Sequence, residues 1–235
     1  MGKTKKVKGT KQTLERVEME KPFHVKAIKC KSLKQKEFLQ AVDTHTVTLC
    51  NGLPGTGKTF LACYAALKML EKKQVDKIVL VKSVTPLPGE DIGYIPGSIQ
   101  EKMDPFIVSF TSNIDKLIGE EARKKLFNDN KIVVQPLVYI RGITIDNAIV
   151  ILDECQNLTI STFKSIITRI GSGSTYVILG DSEQIDLKHK DQSSLSKLME
   201  LFQDSESVST ISFKDEDCVR NPIIPYLLNK IKEIE

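Results

Sequence analysis

The sequence lacks any apolar run near the ~20 residues that a membrane-spanning helix requires. No hydrophobic stretch follows the lysines of its first residues, so no signal peptide is expected. Cysteine is sparse and unpaired. Cys30, Cys50, Cys63, Cys155 and Cys218 are odd in number, and none stands in a CxxC spacing. That argues against a disulfide framework and against a zinc site, and it makes a reducing cytoplasm the expected location. Each cysteine is expected to act as a small buried apolar residue. Arginine is scarce too, with five residues against 29 lysines.

What is present fits a soluble α/β domain with a tail. The length of 235 residues suits one domain better than two. Hydrophobic residues make up 40% and charged residues 27%, ordinary values for a globular chain. The formal charge of +4 is unevenly spread. Residues 1–36 carry twelve basic and three acidic side chains, whereas the remainder carries 22 basic and 27 acidic. Basicity therefore belongs to the tail. Such an arm either holds phosphate backbones loosely or simply stays solvated, and charge alone leaves both open. Residues 1–30 read as a basic, disordered arm and 31–235 as the folded domain.

Strands and helices alternate along that domain. Ser32 is a plausible N-cap for a helix over "SLKQKEFLQAV", with Leu33, Phe38, Leu39 and Val42 on one face. "TVTLC", "KIVLVK", "KIVVQP", "AIVILDE", "TYVILGD" and "SVSTISF" read as strands. "FLACYAALKML" is apolar nearly all round and reads as a helix buried on a sheet. Residues 98–127 read as helix broken near Gly119, and further helices are expected over "TFKSIITRI", over "SSLSKLMELF" and from Pro222 onward. Continuous apolar strand runs predict a three-layer α/β fold with a mostly parallel central sheet covered on both faces.

The stretch "LCNGLPGTGKTF" carries the pattern GxxxxGK[ST] between a strand and a helix. Its glycines let backbone N–H groups turn toward phosphate oxygens, and the following helix adds partial positive charge. Gly52, Leu53, Pro54, Gly55, Thr56, Gly57, Lys58, Thr59 and Phe60 are the expected nucleotide-binding stretch. Lys58 is expected on the β and γ phosphates and Thr59 on Mg²⁺. Asp153, ending an apolar strand, is the expected second metal residue. Glu154 beside it is expected to orient a water, which favours hydrolysis over phosphate transfer to a substrate. A third apolar strand ends in "GDSEQID", where Gln184 could bond both the γ-phosphate and the lytic water.

With these residues in view, the sequence resembles PhoH-like proteins, P-loop ATPases related to the RecA-like core of superfamily-one helicases. The resemblance runs from about Leu33 to the C-terminus through "GLPGTGKT", "PGEDIGYIPG", "PLVYIRG", "ILDECQN", "TRIGSGS", "GDSEQIDL" and "DCVRNPII". It implies ATP–Mg²⁺ on Lys58, Thr59 and Asp153, water activation by Glu154, and γ-phosphate sensing by Gln184. Gln35 is similar to the helicase glutamine that reads the adenine edge. Two positions depart from the family pattern: Lys82 stands where relatives often have an arginine, and Cys155 replaces an alanine.

Three of the five arginines lie within those stretches. Arg141, Arg169 and Arg220 are therefore candidates for charge stabilisation at the γ-phosphate, because lysine cannot reproduce the guanidinium fork. The bland alternative for Arg220 is an ion pair with Asp217. A single RecA-like lobe leaves an ATP site open on one side, so neighbouring subunits are expected to close it, each giving an arginine across the interface, in a head-to-tail homo-oligomer such as a hexameric ring. The expected activity is ATP hydrolysis coupled to remodelling of single-stranded RNA or DNA. A nucleotide-dependent switch or scaffold and, less well supported, a small-molecule kinase are the alternatives. The acidic cluster of a PIN-type nuclease is missing, and no membrane partner is expected.

Overall fold

The computed structural model describes residues 23–82, 99–140, 142–185, 187, 193–220, 223–231 and 233. Six parallel strands form one sheet: β1 (Val47–Asn51), β2 (Lys77–Lys82), β3 (Ile132–Val134), β4 (Ala148–Asp153), β5 (Thr175–Gly180) and β6 (Val208–Ser212). Their order across the sheet is β3-β2-β4-β5-β1-β6. The apolar strand runs are explained by two separate cores. Ile78, Leu80, Ile149, Ile151, Val177 and Leu179 point to one face. Val79, Val81, Val150, Leu152, Tyr176 and Ile178 point to the other. A strand covered on both sides has no position left for a polar residue until it reaches its tip.

Helices α1 (Leu33–Thr44), α2 (Lys58–Glu71), α3 (Ile99–Ile118) and α4 (Glu120–Asn128) contribute to the first core. Helices α5 (Leu137–Ile140), α6 (Ile160–Ile167) and α7 (Leu195–Leu201) contribute to the second, and α8 (Ile223–Ile231) closes the described chain. The break between α3 and α4 falls at Gly119, whose φ of +84° interrupts the helix. Ser32 caps α1, accepting a hydrogen bond from the Gln35 amide at 3.2 Å. The buried face of that helix is Gln35, Phe38, Ala41 and Val42. Leu33, expected on that face, is 74% exposed, because it stands in the first turn on the side away from Phe38.

Residues 23–30, expected to belong to the tail, lie against the domain instead. Val25 is buried, the Lys26 amide donates to the Leu117 carbonyl at 3.0 Å, and the Val25 amide donates to Glu71 Oε1 at 3.0 Å. Residues 1–22, the stretch "PGEDIGYIPG" and Arg141 lie outside the described residues. Among the described residues no helix is long and apolar enough to cross a membrane.

Candidate active site

The site begins where β1 runs out of sheet. Six residues separate Asn51 from α2, and Gly55 and Gly57 adopt φ of +89° and +91°. Side chains with a Cβ avoid that region, so the turn depends on glycine. Gly52 meets a different demand: a Cβ there would lie 2.6 Å from the Phe213 Cβ. The loop is tightened from inside. Thr56 Oγ1 donates to the Leu53 carbonyl at 2.9 Å, and Lys58 Nζ donates to the carbonyls of Gly52 and, at 3.0 Å, Leu53. Helix α2 opens without a side-chain cap. Its first-turn amides are therefore left for an anion, the ligand that a helix N-terminus favours.

The tip of β4 supplies the carboxylates. Asp153 is buried, and its Oδ2 accepts from Thr59 Oγ1 at 3.1 Å. Burial and the neighbouring Glu154 charge raise its pKa, while Lys82, the Thr59 hydroxyl and the Glu154 amide pull it down. Glu154 turns off the strand in the left-handed region at φ +60°, a strained choice for a residue with a side chain. Two groups hold it there. Gln156 Nε2 donates to its Oε2 at 2.9 Å, and Lys82 Nζ lies 3.9 Å from its Oε1. Lys82 thus places a positive charge beside Glu154.

Strand β5 lies between β1 and β4, so its tip separates the loop from Asp153. The Gly52 amide donates to the Gly180 carbonyl at 3.2 Å. Asn51 and Ser182 exchange two hydrogen bonds of 2.8 and 2.9 Å, which fasten the turn after β5 to the end of β1. Buried Gln156 accepts from the Asp181 amide at 3.2 Å, joining that turn to Glu154. Gln184 is exposed, and its amide donates to the Asp181 carbonyl at 3.0 Å.

Loop and strand tips line a cavity of about 820 Å³ together with Gln35, Phe60 and Arg220. Gln35 is buried, and both ends of its amide are taken by backbone. Its Oε1 accepts from the Lys31 amide at 2.7 Å and its Nε2 donates to the Thr56 carbonyl at 3.0 Å. Each end keeps a second hydrogen-bonding position, one N–H and one lone pair, so these two bonds leave capacity for a further partner. Arg220 lies beside the loop of its own chain, its stem 3.0–3.2 Å from where a Gly55 Cβ would be. The Val219 amide donates to the Gly55 carbonyl at 3.0 Å, so the segment after β6 clasps the loop. Asp217 accepts from the Lys214 amide at 3.0 Å. Arg169 is not brought to this cavity. Its carbonyl accepts from the Ile145 amide and the Tyr176 hydroxyl, at the opposite edge of the sheet. Sequence reasoning missed Gln156 and Asp181, although each stands within three residues of a residue it singled out. It also missed Lys29, Lys31 and Lys116, which line the cavity.

The residues present fit a nucleotide with its magnesium. One hydroxyl and one carboxylate meet at Thr59 and Asp153, and among the described residues no cluster of three or more His, Cys, Asp or Glu could cage a metal. Magnesium is commonly held in that way, by one or two protein groups together with substrate phosphates and water.

A parallel three-layer α/β sheet with this loop between β1 and α2, and an acidic strand tip two positions away, defines a nucleotide-binding P-loop domain of RecA-like architecture. Residues 27–232 match the family described as PhoH-like protein, and the chain belongs to that family. It is 34% identical over 224 residues to a PhoH-like protein of Synechocystis, covering 95% of this chain and 68% of the relative. It is also 34% identical to PhoH-like protein of Bacillus subtilis, covering 86% and 63%, and to Protein PhoH of Escherichia coli, covering 80% and 54%. The chain thus spans between about half and two thirds of these relatives' lengths. Among solved structures it is similar to a large terminase from a thermophilic bacteriophage. There the TM-score is 0.49 at 11% identity, with 84% of this chain and 49% of the other covered.

Proposed function

We propose that this chain binds ATP with Mg²⁺ and hydrolyses the terminal phosphate, and that it couples hydrolysis to binding and remodelling single-stranded RNA or DNA. The observation that carries the hydrolytic part is the convergence of Lys58, the Thr59–Asp153 pair and Glu154 on one cavity. Lys58 has its ammonium on loop carbonyls and needs only to exchange them for phosphate oxygens. Thr59 and Asp153 would hold the magnesium, which when bound neutralises phosphate charge. Glu154 is aimed by Gln156 and Lys82 and accepts the proton of an attacking water. Gln184, exposed at the rim, would contact the γ-phosphate and lose that contact on hydrolysis. Arg220 would add a guanidinium from the same subunit, and Arg169 one from a neighbour in a head-to-tail assembly.

Glu154→Gln keeps the bond geometry and removes the base, so it is expected to bind ATP within about threefold of wild type while turnover falls ~10²-fold or more. Lys58→Ala is expected to lose binding. Equilibrium titration and phosphate release measure the two separately. Nearly normal turnover in Glu154→Gln would overturn the hydrolytic assignment. Stimulation of turnover by single-stranded RNA or DNA tests the coupling, and its absence would leave a nucleotide-dependent switch.

A further inference from the structure

The cavity is divided by charge. Its carboxylates, Asp153, Glu154 and Asp181, all stand at the tips of β4 and β5. Where residues 28–31 and α3 line it there is none, and three lysines take their place: Lys29, Lys31 and Lys116. All three are exposed, and none forms an ion pair with a described carboxylate. Asp115, the only acidic residue between 107 and 118, is turned instead to Arg123, 2.6 Å away. Helix α3 lines the cavity with Ser109, Ser112, Asn113 and Lys116, a spacing that puts them on one face, while Ile107, Phe110, Ile114 and Leu117 are buried behind them. From Ser109 to Lys116 that face runs roughly 10 Å. The segment that carries Lys29 is pinned at both ends, by the Lys26 amide on the Leu117 carbonyl and by the Lys31 amide on Gln35. A nucleoside triphosphate does not account for these lysines. Its charge lies on the phosphates, which Lys58, Arg220 and magnesium are assigned to meet, and its base and ribose carry none. Lys116 suits the last turn of a helix on its own account. Lys29 and Lys31 lie outside any helix and have no such reason, and the chain from residue 37 onward is net acidic.

We propose that the backbone of a single-stranded nucleic acid lies along this part of the cavity, its phosphates on Lys29, Lys31 and Lys116 and further oxygens on Ser109, Ser112 and Asn113. This deepens the nucleic-acid part of the reading above and rests on it. The contact is to backbone and not to bases. Phe60 is the only aromatic among the described lining residues, and it belongs to the first turn of α2 beside the loop, so nothing on residues 28–31 or on α3 stacks a base. Binding is therefore indifferent to base sequence and depends steeply on salt, because each neutralised phosphate releases counterions. The strand reaches the phosphate loop through one side chain: Gln35 accepts from the Lys31 amide and donates to the Thr56 carbonyl.

The test is fluorescence anisotropy of labelled oligouridylate and oligothymidylate, about 20 nucleotides long, titrated with the full chain across a series of salt concentrations. A variant combining Lys29→Gln, Lys31→Gln and Lys116→Gln is expected to flatten the slope of log Kd against log salt by about 2, at ~0.7 per lost contact on a single strand. A control combining Lys125→Gln, Lys131→Gln and Lys164→Gln lowers the net charge equally at residues that do not line the cavity, and is expected to keep the wild-type slope. Unfolding midpoints should stay within about 3 °C of wild type. Should the triple variant fail to fold, each single change is expected to take ~0.7 from the slope. An unchanged slope in the cavity variants would overturn the proposal, and so would equal flattening in the control. Polyglutamate that displaces the labelled strand as well as unlabelled strand does would mean that the surface takes acidic peptide, and would also overturn it. If wild type binds neither oligomer, the nucleic-acid reading above falls too, whereas the other failures remove only this location.

Discussion

Two buried polar atoms without partners stand out among the described residues, Thr48 Oγ1 and Asp181 Oδ2. They differ in where they sit. Thr48 is fully buried in the middle of β1, between β5 and β6, and does not line the cavity. Its hydroxyl contributes nothing to the site, and its β-branched shape suits a strand. Thr48→Val is therefore expected to raise stability by about 1 kcal/mol, since it removes an unpaired hydroxyl at similar volume. Turnover should be unchanged, and denaturant unfolding with phosphate release would show both. Gly52 makes the opposite case. An alanine Cβ 2.6 Å from the Phe213 Cβ forces backbone apart, and Phe213 is itself buried with its ring centroid 6.1 Å from that of Phe38. Gly52→Ala is expected to cost about 1–3 kcal/mol and to weaken ATP binding. Thermal unfolding and nucleotide titration measure the two losses.

At the level of elements, the segment 23–31 is held to α2 by one carboxylate. Glu71 accepts from the Val25 amide at 3.0 Å, lies 3.0 Å from His24 Nδ1, and is bonded by Lys68 Nζ. The Lys68 bond is the largest cause that lowers its pKa below the ordinary 4.5, and burial opposes it. A carboxylate with a lowered folded pKa adds stability that is complete above the unfolded value and drains away as pH falls through the folded one. Glu71→Gln should then be less stable than wild type by about 1 kcal/mol at neutral pH. The difference should narrow as pH falls below the ordinary 4.5, which urea midpoints across pH would show. The same segment marks the limit of what the chain's pattern reveals. Strands β2, β4 and β5 were legible because burial on both faces leaves an unbroken apolar run, and α3 and α4 because Gly119 divides them. Residues 23–31 have no periodicity, since a strap bonded to helix ends imposes none. Four-residue α5 is shorter than the window in which a helical period can be read. In α1 apolar Leu33 is exposed while polar Gln35 is buried, because its amide bonds the Lys31 backbone at one end and the phosphate loop at the other. The loop, Asp153 and Glu154 were visible in local spacing. The partnership of Asp181 with Gln156 was not, because it exists only once β5 is inserted between β1 and β4.

The whole molecule has a direction. All six strands point the same way, so the phosphate loop, Asp153 and Glu154 stand together at the C-terminal edge of the sheet. Arg169 stands at the N-terminal edge, where Ile145 and Ile170 form a parallel bridge ahead of β4. Between these edges β4 runs from Ala148 to Asp153, a distance of roughly 16 Å at ~3.3 Å per step. Arg169 therefore cannot serve the cavity of its own chain, whereas Arg220 lies beside it. An arginine at the opposite edge could reach only the site of another copy, and a contact of that kind would be head-to-tail. Around Arg169, Ile143 and Ile167 are exposed at 41% and 37%, and the guanidinium donates to the Thr168 hydroxyl at 3.1 and 3.2 Å. The arrangement predicts complementation. Arg169→Ala keeps a complete loop and Glu154 but offers its neighbour no guanidinium. Glu154→Gln is inert at its own site but still offers Arg169. Each variant alone should hydrolyse ATP at a few per cent of the wild-type rate or less. Mixed in equal amounts and allowed to exchange subunits, they should form competent interfaces at about one in four, the fraction that random head-to-tail pairing gives. Phosphate release should climb toward that fraction of wild type and fall again on dilution. A mixture that shows only the mean of its two components would mean that no arginine crosses between subunits and that each chain works with Arg220 alone.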